Sequence, residues 1–167
     1  QYTIAVSASG GSGAVIHGVF RISAGTLSVI VGALGKSATI STAGTAASTD
    51  GGATSGGLLC SVGGGGRGKA GWGNPVVQQG GTAGTVVSYD KNALVSSSVI
   101  SNGHAGTFNR WYTGNRDGSV STAIVQSPYP PYGSGSAGSA TTRYSGGASF
   151  TSSPGSDGYV KIMYYGK

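Results

Sequence analysis

The sequence predicts an all-β fold, a compact glycine-rich β domain with short strands and extended loops. Glycine contributes 34 of the 167 residues, roughly three times its usual share of about 7 %. Helix signals are nearly absent, because Leu, Glu, Gln and Lys are scarce and no window holds an apolar period of about 3.6 residues. Ser, Thr and Val dominate between the glycines, and this composition favours strands and turns.

Three strands are predicted in the first part of the chain. They cover residues 2–7, 14–23 and 26–32, where apolar residues alternate with small polar ones. Ala24 and Gly25 supply a two-residue turn between the second and third of these strands. We therefore expect those two strands to form a hairpin.

The most informative segment is GLLCSVGGGGRG, in which an apolar run leads directly into four glycines. Residues 58–62 are predicted to be a buried strand, with Cys60 as a buried, unreactive thiol. Glycine strands can approach each other closely and pair through their amides, in the extended polyproline-II conformation, as an ordered lattice. We therefore expect a structural role for four glycines: Gly63, Gly64, Gly65 and Gly66.

Further strands are predicted later in the chain, at residues 85–90, 93–101 and 119–126. A closing strand is expected at residues 159–165, where Val and Ile alternate with Tyr and Lys. The Ala/Ser/Thr/Gly-rich residues 32–57 are expected to be surface loops.

The length fits one domain over residues 1–167, with an aromatic and basic variable insert at residues 103–150. The single cysteine excludes an internal disulfide framework. The chain begins at Gln1 without Met, which we interpret as a processed chain or a fragment of a longer one.

Charge argues against nucleic acid as a partner. The net charge is +6, from 10 basic and 4 acidic residues, but the basic residues are dispersed along the chain instead of forming a basic cluster. Weak attraction to an anionic cell surface is the better expectation.

Catalysis is not expected, and neither is a cofactor or a metal site. Glycosidic cleavage usually needs two carboxylates beside the bond, whereas Asp50 and Asp157 each precede a glycine in a turn sequence. His17 lies in a predicted strand, and no nucleophile-elbow motif occurs in a strand-to-helix context. Two histidines and one cysteine, far apart in the sequence, do not form a zinc signature.

A candidate binding surface comes from aromatic and basic residues of the insert. Rigid aromatic rings cover the apolar faces of sugars at low entropic cost, and tyrosine adds a hydroxyl group. Prolines stiffen the PYPPY segment, and arginine can pair with acidic sugars or phosphates. The candidate residues are Tyr129, Tyr132, Trp111, Tyr112, Arg110, Arg116, Arg143 and Tyr144.

An alternative remains for two of these residues. Trp111 and Tyr112 could be core residues in a fold that has few other large side chains. Trp72, in the sequence GWGNP, is expected to cover glycine backbone.

Four blocks in this order resemble a family pattern: YTIAVSASGGSG, VFRISAGTLSVIVGALG, GLLCSVGGGGRG and GSDGYVKIMYYG. They resemble the glycine-rich domains at the distal ends of bacteriophage tail fibres and adhesins. More distantly, they are similar to the glycine-rich extracellular domain of some receptor tyrosine kinases. The blocks cover about a third of the chain, and residues 85–150 have no counterpart in the pattern.

The resemblance implies a β domain with glycine-rich loops or polyglycine-II segments, carried on a larger fibre in an extracellular virion. It implies host attachment through a bacterial surface glycan or an outer-membrane protein, with other virion or fibre subunits as further partners. A homotrimer is compatible with it, because fibre tips are often trimeric. The alternative is a purely structural virion component, such as a capsid or tail decoration or a fibre connector, without receptor contact.

Overall fold

The computed structural model describes residues 3–37, 39–41, 44–46, 49–73, 76–107, 109–111, 120–121, 133–135, 139–143, 150–151, 154 and 156–166. The fold is all-β, as the composition predicts, and the described residues contain no helix. Their strands are β1 Thr3–Ser7, β2 Val15–Phe20, β3 Val29–Ile30, β4 Thr39–Ser41, β5 Gly44–Ala46, β6 Thr54–Gly56, β7 Cys60–Val62, β8 Ala70–Gly73, β9 Val76–Gln78, β10 Val86–Tyr89, β11 Leu94–Ser101, β12 Asn109–Trp111, β13 Val120–Ser121, β14 Ser139–Arg143 and β15 Phe150–Thr151.

The strands form small antiparallel sheets. One has the order β13-β14-β1-β8 and another the order β10-β7-β6-β3. The pairs β11-β2 and β12-β9 and the triplet β15-β4-β5 complete the described strands. Most strands are short, and the buried residues 8–14 lie outside the sheets. The centre of the molecule is therefore not formed by the sheets alone.

Glycine-rich segments with a three-residue repeat occupy that centre. The amides of Ala8, Gly11 and Ala14 donate to the carbonyls of Lys69, Gly66 and Gly63, respectively, at N···O distances of 2.9–3.1 Å. The same period joins residues 63, 66 and 69 to residues 85, 82 and 79. Three residues per turn is the repeat of a polyproline-II helix. We call residues 8–14, 63–69, 79–85 and 102–107 the glycine lattice.

Segment 8–14 of the lattice is buried, and it contains no large side chains. Among the described residues, the buried apolar side chains are those of Ala8 and Ala14, and the largest fully buried side chains are those of Ser7, Ser9 and Ser12. In this buried segment, peptide groups that hydrogen-bond to other parts of the lattice therefore take the place of large apolar side chains.

The lattice separates two ends of the molecule. Lattice segment 8–14 joins β1 to β2, and seven extended residues span about 20 Å. The antiparallel pairing of the lattice places β8, β9, β12 and β14 beside β1, at what we call the β1 end. It places β3, β6, β7, β10 and β11 at the opposite end with β2, which we call the β2 end.

The hairpin predicted from residues 14–23 and 26–32 is wrong. These residues are fully described, and β2 pairs with β11 from Phe20↔Leu94 to Val15↔Ser101, while β3 pairs with β6. Strand β11 is eight residues long and offers β2 a longer partner than the two-residue β3. A turn sequence predicts that the chain reverses its direction, but it does not predict which strand pairs with β2.

The strand predicted at residues 58–62 is shorter than expected and not buried. It begins at Cys60, which is half-buried, and Leu58 is 98 % exposed. Residues 57–59 form the turn between β6 and β7, where Gly57 has a φ of 56°, a conformation that glycine adopts at no steric cost. Leu58 and Leu59 thus lie in the turn and not in the strand.

Two further predictions need correction. Residues 32–57 are not only loops, because they contain β4, β5 and β6. Residues 159–165 form no strand, because no described strand pairs with them. By contrast, the strands predicted at residues 85–90 and 93–101 are confirmed as β10 and β11.

Candidate functional site

Two strands at the β1 end carry those candidate residues that the structure describes. In β12, Arg110 lies opposite Val77 and Trp111 lies opposite Val76 of β9. In β14, Arg143 lies opposite Thr3 of β1. Because β12 lies beside β1 and β14, the backbone brings Arg110, Trp111 and Arg143 to the same end of the molecule.

The other candidate residues lie outside the described residues. They are Tyr112, Arg116, Tyr129, Tyr132 and Tyr144. Their part in a binding surface stays a prediction.

Both tryptophans of the chain are on strands of the β1 end. Trp72 lies in β8 opposite Ala5 of β1, and Trp111 lies in β12. The sequence predicts only a structural role for Trp72, since its neighbours are glycines. The signal that could have added it to the candidates is its position in the glycine-rich sequence GGGGRGKAGWG, where lattice segment 63–69 leads into β8.

The start of β12 is fixed by two buried serines of the lattice. The amide of Thr107 donates to Ser9 Oγ at 2.7 Å, and the two hydroxyl oxygens of these residues are 3.0 Å apart. The amide of His104 donates to Ser12 Oγ at 2.8 Å. Ser9 and Ser12 are three residues apart, so both side chains face segment 102–107. This segment leads into β12, and the serines therefore set the position from which Arg110 and Trp111 extend.

Consecutive residues of the glycine run face different neighbours. A Cβ added to Gly64 would lie well inside 3.0 Å of the Gly51 carbonyl, and one on Gly65 would approach the Gly11 carbonyl as closely. A Cβ on Gly66 would collide with Thr82. A Cβ on Gly63 would have more room, at 3.3 Å from the Thr85 carbonyl. Close approach on successive sides of the segment thus requires successive glycines.

Three of the four aspartates bind backbone amides. Asp50 Oδ1 accepts a hydrogen bond from the Arg67 amide at 2.8 Å, and Asp157 Oδ1 accepts one from the Leu34 amide at 2.9 Å. Asp90 Oδ1 accepts bonds from two amides in its own turn. These carboxylates join segments or cap a turn, while Asp117 lies outside the described residues.

The histidine predicted to be structural lies on β2. His17 Nδ1 is within hydrogen-bonding distance of Ser98 Oγ on β11, so the contact links the two paired strands. Within the described part of the chain, no three His, Cys, Asp or Glu side chains are grouped so that they could hold a metal ion. The described residues also include no helix of the length and apolarity that a membrane span requires.

Comparisons with protein-family models, curated proteins and solved structures give no match to this chain. The family resemblance therefore rests on the sequence motifs.

Proposed function

We propose that the chain is a glycine-rich receptor-binding domain of a bacteriophage tail fibre, which contacts a bacterial surface glycan or an outer-membrane protein. The observation that carries the proposal is the convergence of Arg110, Trp111 and Arg143 on strands of one end. Aromatic rings and arginines held on paired strands lose little conformational freedom on binding. The motif resemblance supplies the phage context.

The lattice supports this function because it orders the strands that carry the site. The hydrogen bonds of Ser9 and Ser12 fix the segment that leads into β12. Lattice hydrogen bonds also join the residues next to β1, β8 and β9, because the Ala8 amide donates to the Lys69 carbonyl and the Lys69 amide donates to the Gln79 carbonyl. Binding residues on a rigid scaffold are the usual arrangement for recognition at a surface.

The experiment is binding of the fluorescently labelled protein to bacterial strains with defined surface glycans and outer-membrane proteins. We expect strain-selective binding that Trp111→Ala weakens by about tenfold or more, the loss typical of an aromatic anchor. The double variant Tyr129→Ala/Tyr132→Ala tests the candidate tyrosines of the insert in the same way.

Leu58→Ala is the matched control, because Leu58 is exposed at the β2 end. If the protein binds selectively and none of the aromatic variants changes that binding, the receptor-binding function stands and the candidate binding residues are wrong. Circular dichroism of every variant shows whether the fold is intact.

A structural virion component without receptor contact is the second candidate. It is favoured by the exposure of Val87, Val95, Ile162 and Met163 at the β2 end, each more than half exposed. A component that connects subunits needs such an apolar contact surface. Absence of binding by the folded protein to every strain would support this candidate.

A further inference from the structure

An asparagine or aspartate followed by glycine makes the same pair of hydrogen bonds at three places in the described part of the chain. At the first, Asn102 Oδ1 accepts a hydrogen bond from the Val86 amide at 2.8 Å, and the Gly103 amide donates to the Gly84 carbonyl at 2.9 Å. The two partners lie two positions apart on one neighbouring segment. We call this arrangement of a side-chain oxygen and a glycine amide the Asx–Gly clamp.

The other two clamps are formed by aspartates. The partners are Arg67 and Gly65 for Asp50–Gly51, and Leu34 and Gly32 for Asp157–Gly158, with N···O distances of 2.8–3.0 Å. In each clamp the partner amide lies two positions after the partner carbonyl. The same local arrangement thus occurs with either an amide or a carboxylate side chain.

Asn102 differs from the two aspartates in its chemistry. In an Asn–Gly sequence, the glycine nitrogen attacks the side-chain carbonyl carbon, ammonia leaves and a cyclic succinimide forms. Water then opens the ring at either carbonyl, which gives aspartate or isoaspartate. Glycine favours this attack because it has no side chain to hinder it. The chain contains this dipeptide once, at Asn102, and Asn102 is exposed to water.

We propose that Asn102 is a deamidation site that reacts only when its Asx–Gly clamp opens. Attack requires the Gly103 nitrogen to lose the proton that it donates to the Gly84 carbonyl. Ring closure also joins the side-chain carbon to that nitrogen, which moves Oδ1 from its place beside the Val86 amide. Both hydrogen bonds must therefore break, and local separation of residues 84–86 from residues 102–103 sets the rate.

The two products have different consequences for the glycine lattice. Aspartate keeps the clamp, because Asp50 and Asp157 accept the same hydrogen bond. Isoaspartate directs the backbone through the side-chain carbons and so adds one backbone carbon before Gly103. A Cβ on Gly103 would already collide with the Ser12 carbonyl, so the lattice has no room for the longer backbone. Isoaspartate therefore prevents this part of the lattice from closing again.

Peptide mass spectrometry tests the proposal in the native protein and in the protein unfolded in urea, at one mildly alkaline pH and one temperature. We expect Asn102 to deamidate at least about tenfold more slowly in the native protein, because only the open fraction reacts. Hydrogen exchange at the Gly103 amide should be slowed by a similar factor, since it needs the same opening. Equal deamidation rates in the two states would overturn the proposal. Fast deamidation while the Gly103 amide stays protected would overturn it too.

A matched pair of glycine substitutions tests whether the clamp sets the rate. Gly84→Ala should speed deamidation of Asn102, because its Cβ would collide with the Gly63 carbonyl and displace the carbonyl that holds Gly103. Gly13→Ala is the control, because the nearest atom to its Cβ would be at 3.5 Å. Equal rates in the two variants would contradict control by the clamp.

The variant Asn102→Asp separates the two products. It should unfold at the same urea concentration as the native protein, because aspartate forms the clamp at the other two places. Protein that carries isoaspartate at position 102, obtained by incubation in urea, should refold without protection of the Gly106 amide. Normal protection there would refute the argument about the longer backbone. Because none of these readouts measures cell binding, this inference and the proposed function can fail separately.

Discussion

At the scale of single residues, the lattice requires glycine at those positions where another backbone segment comes close. The sequence motif predicts a structural role for the glycine run, and the geometry shows that Gly64, Gly65 and Gly66 each approach a different neighbour. Those neighbours could not be predicted, because residues 11, 51 and 82 are far away in the sequence. The roles of Ser9 and Ser12 could not be predicted either, because buried and exposed serines look alike in a sequence.

Gly65→Ala is expected to lower the free energy of unfolding by about 3 kcal/mol, the upper part of the range for overpacking. Its Cβ would meet the Gly11 carbonyl, and neither backbone can move without breaking lattice hydrogen bonds. Urea unfolding provides the measurement.

Gly13→Ala is the matched control for this substitution. The nearest atoms to its Cβ would be at 3.5 Å and beyond, which is ordinary contact. Alanine also restricts the unfolded chain, so a gain of about 0.5 kcal/mol is expected. Equal losses from both substitutions would contradict the steric explanation.

Ser12→Ala is expected to destabilise the protein by about 1–3 kcal/mol, because the buried amide of His104 would lose its acceptor. Thermal or urea unfolding measures this loss. Ser96→Ala, at an exposed position of β11, should change stability by less than about 0.5 kcal/mol. A neutral Ser12→Ala would show that water replaces the hydroxyl.

At the scale of elements, the sequence predicts where strands form better than it predicts their partners. Strands β10 and β11 lie where segments rich in Val and Ser predict them. The β2–β11 pairing joins residues about 80 positions apart, and nothing local encodes it. For the same reason the closing segment at residues 159–165 has strand composition without a described partner strand.

The two leucines before the glycine run test the corrected position of β7. Leu58→Ser should leave the free energy of unfolding within about 0.5 kcal/mol of the native value, since Leu58 is 98 % exposed. Leu59→Ser should cost about 1 kcal/mol, because Leu59 is half-buried. If Leu58→Ser had the larger effect in chemical denaturation, the originally predicted buried strand would be the better description.

At the scale of the whole molecule, the sequence predicts the all-β class. It predicts only in part that closely packed backbone forms the centre of the molecule. The composition indicates closely packed backbone, but the three-residue hydrogen-bond repeat and the separation into a β1 end and a β2 end appear only in three dimensions. Of the candidate site, the structure brings together Arg110, Trp111 and Arg143. Its other members lie outside the described residues, so the surface as a whole stays a prediction.

The heat capacity change of unfolding should lie below the ordinary value of about 12–15 cal/mol/K per residue. Exposure of apolar surface raises this quantity and exposure of peptide groups lowers it, and the lattice buries mainly peptide groups, Ser and Ala. Differential scanning calorimetry at several pH values measures it. A value within the ordinary range would indicate that apolar burial dominates after all.

The three-residue period also limits how the chain can change in length. One extra residue within segment 79–85 would rotate all later residues of that segment by about a third of a turn. If the extra residue lies before Gly84, a side chain takes the place of Gly84, whose amide donates to the carbonyl of Ser12. Three extra residues amount to one full turn, so the later residues would keep their orientation and the segment would only become longer. We therefore expect related chains to gain or lose residues in multiples of three within the lattice, and in any number between the strands at its ends.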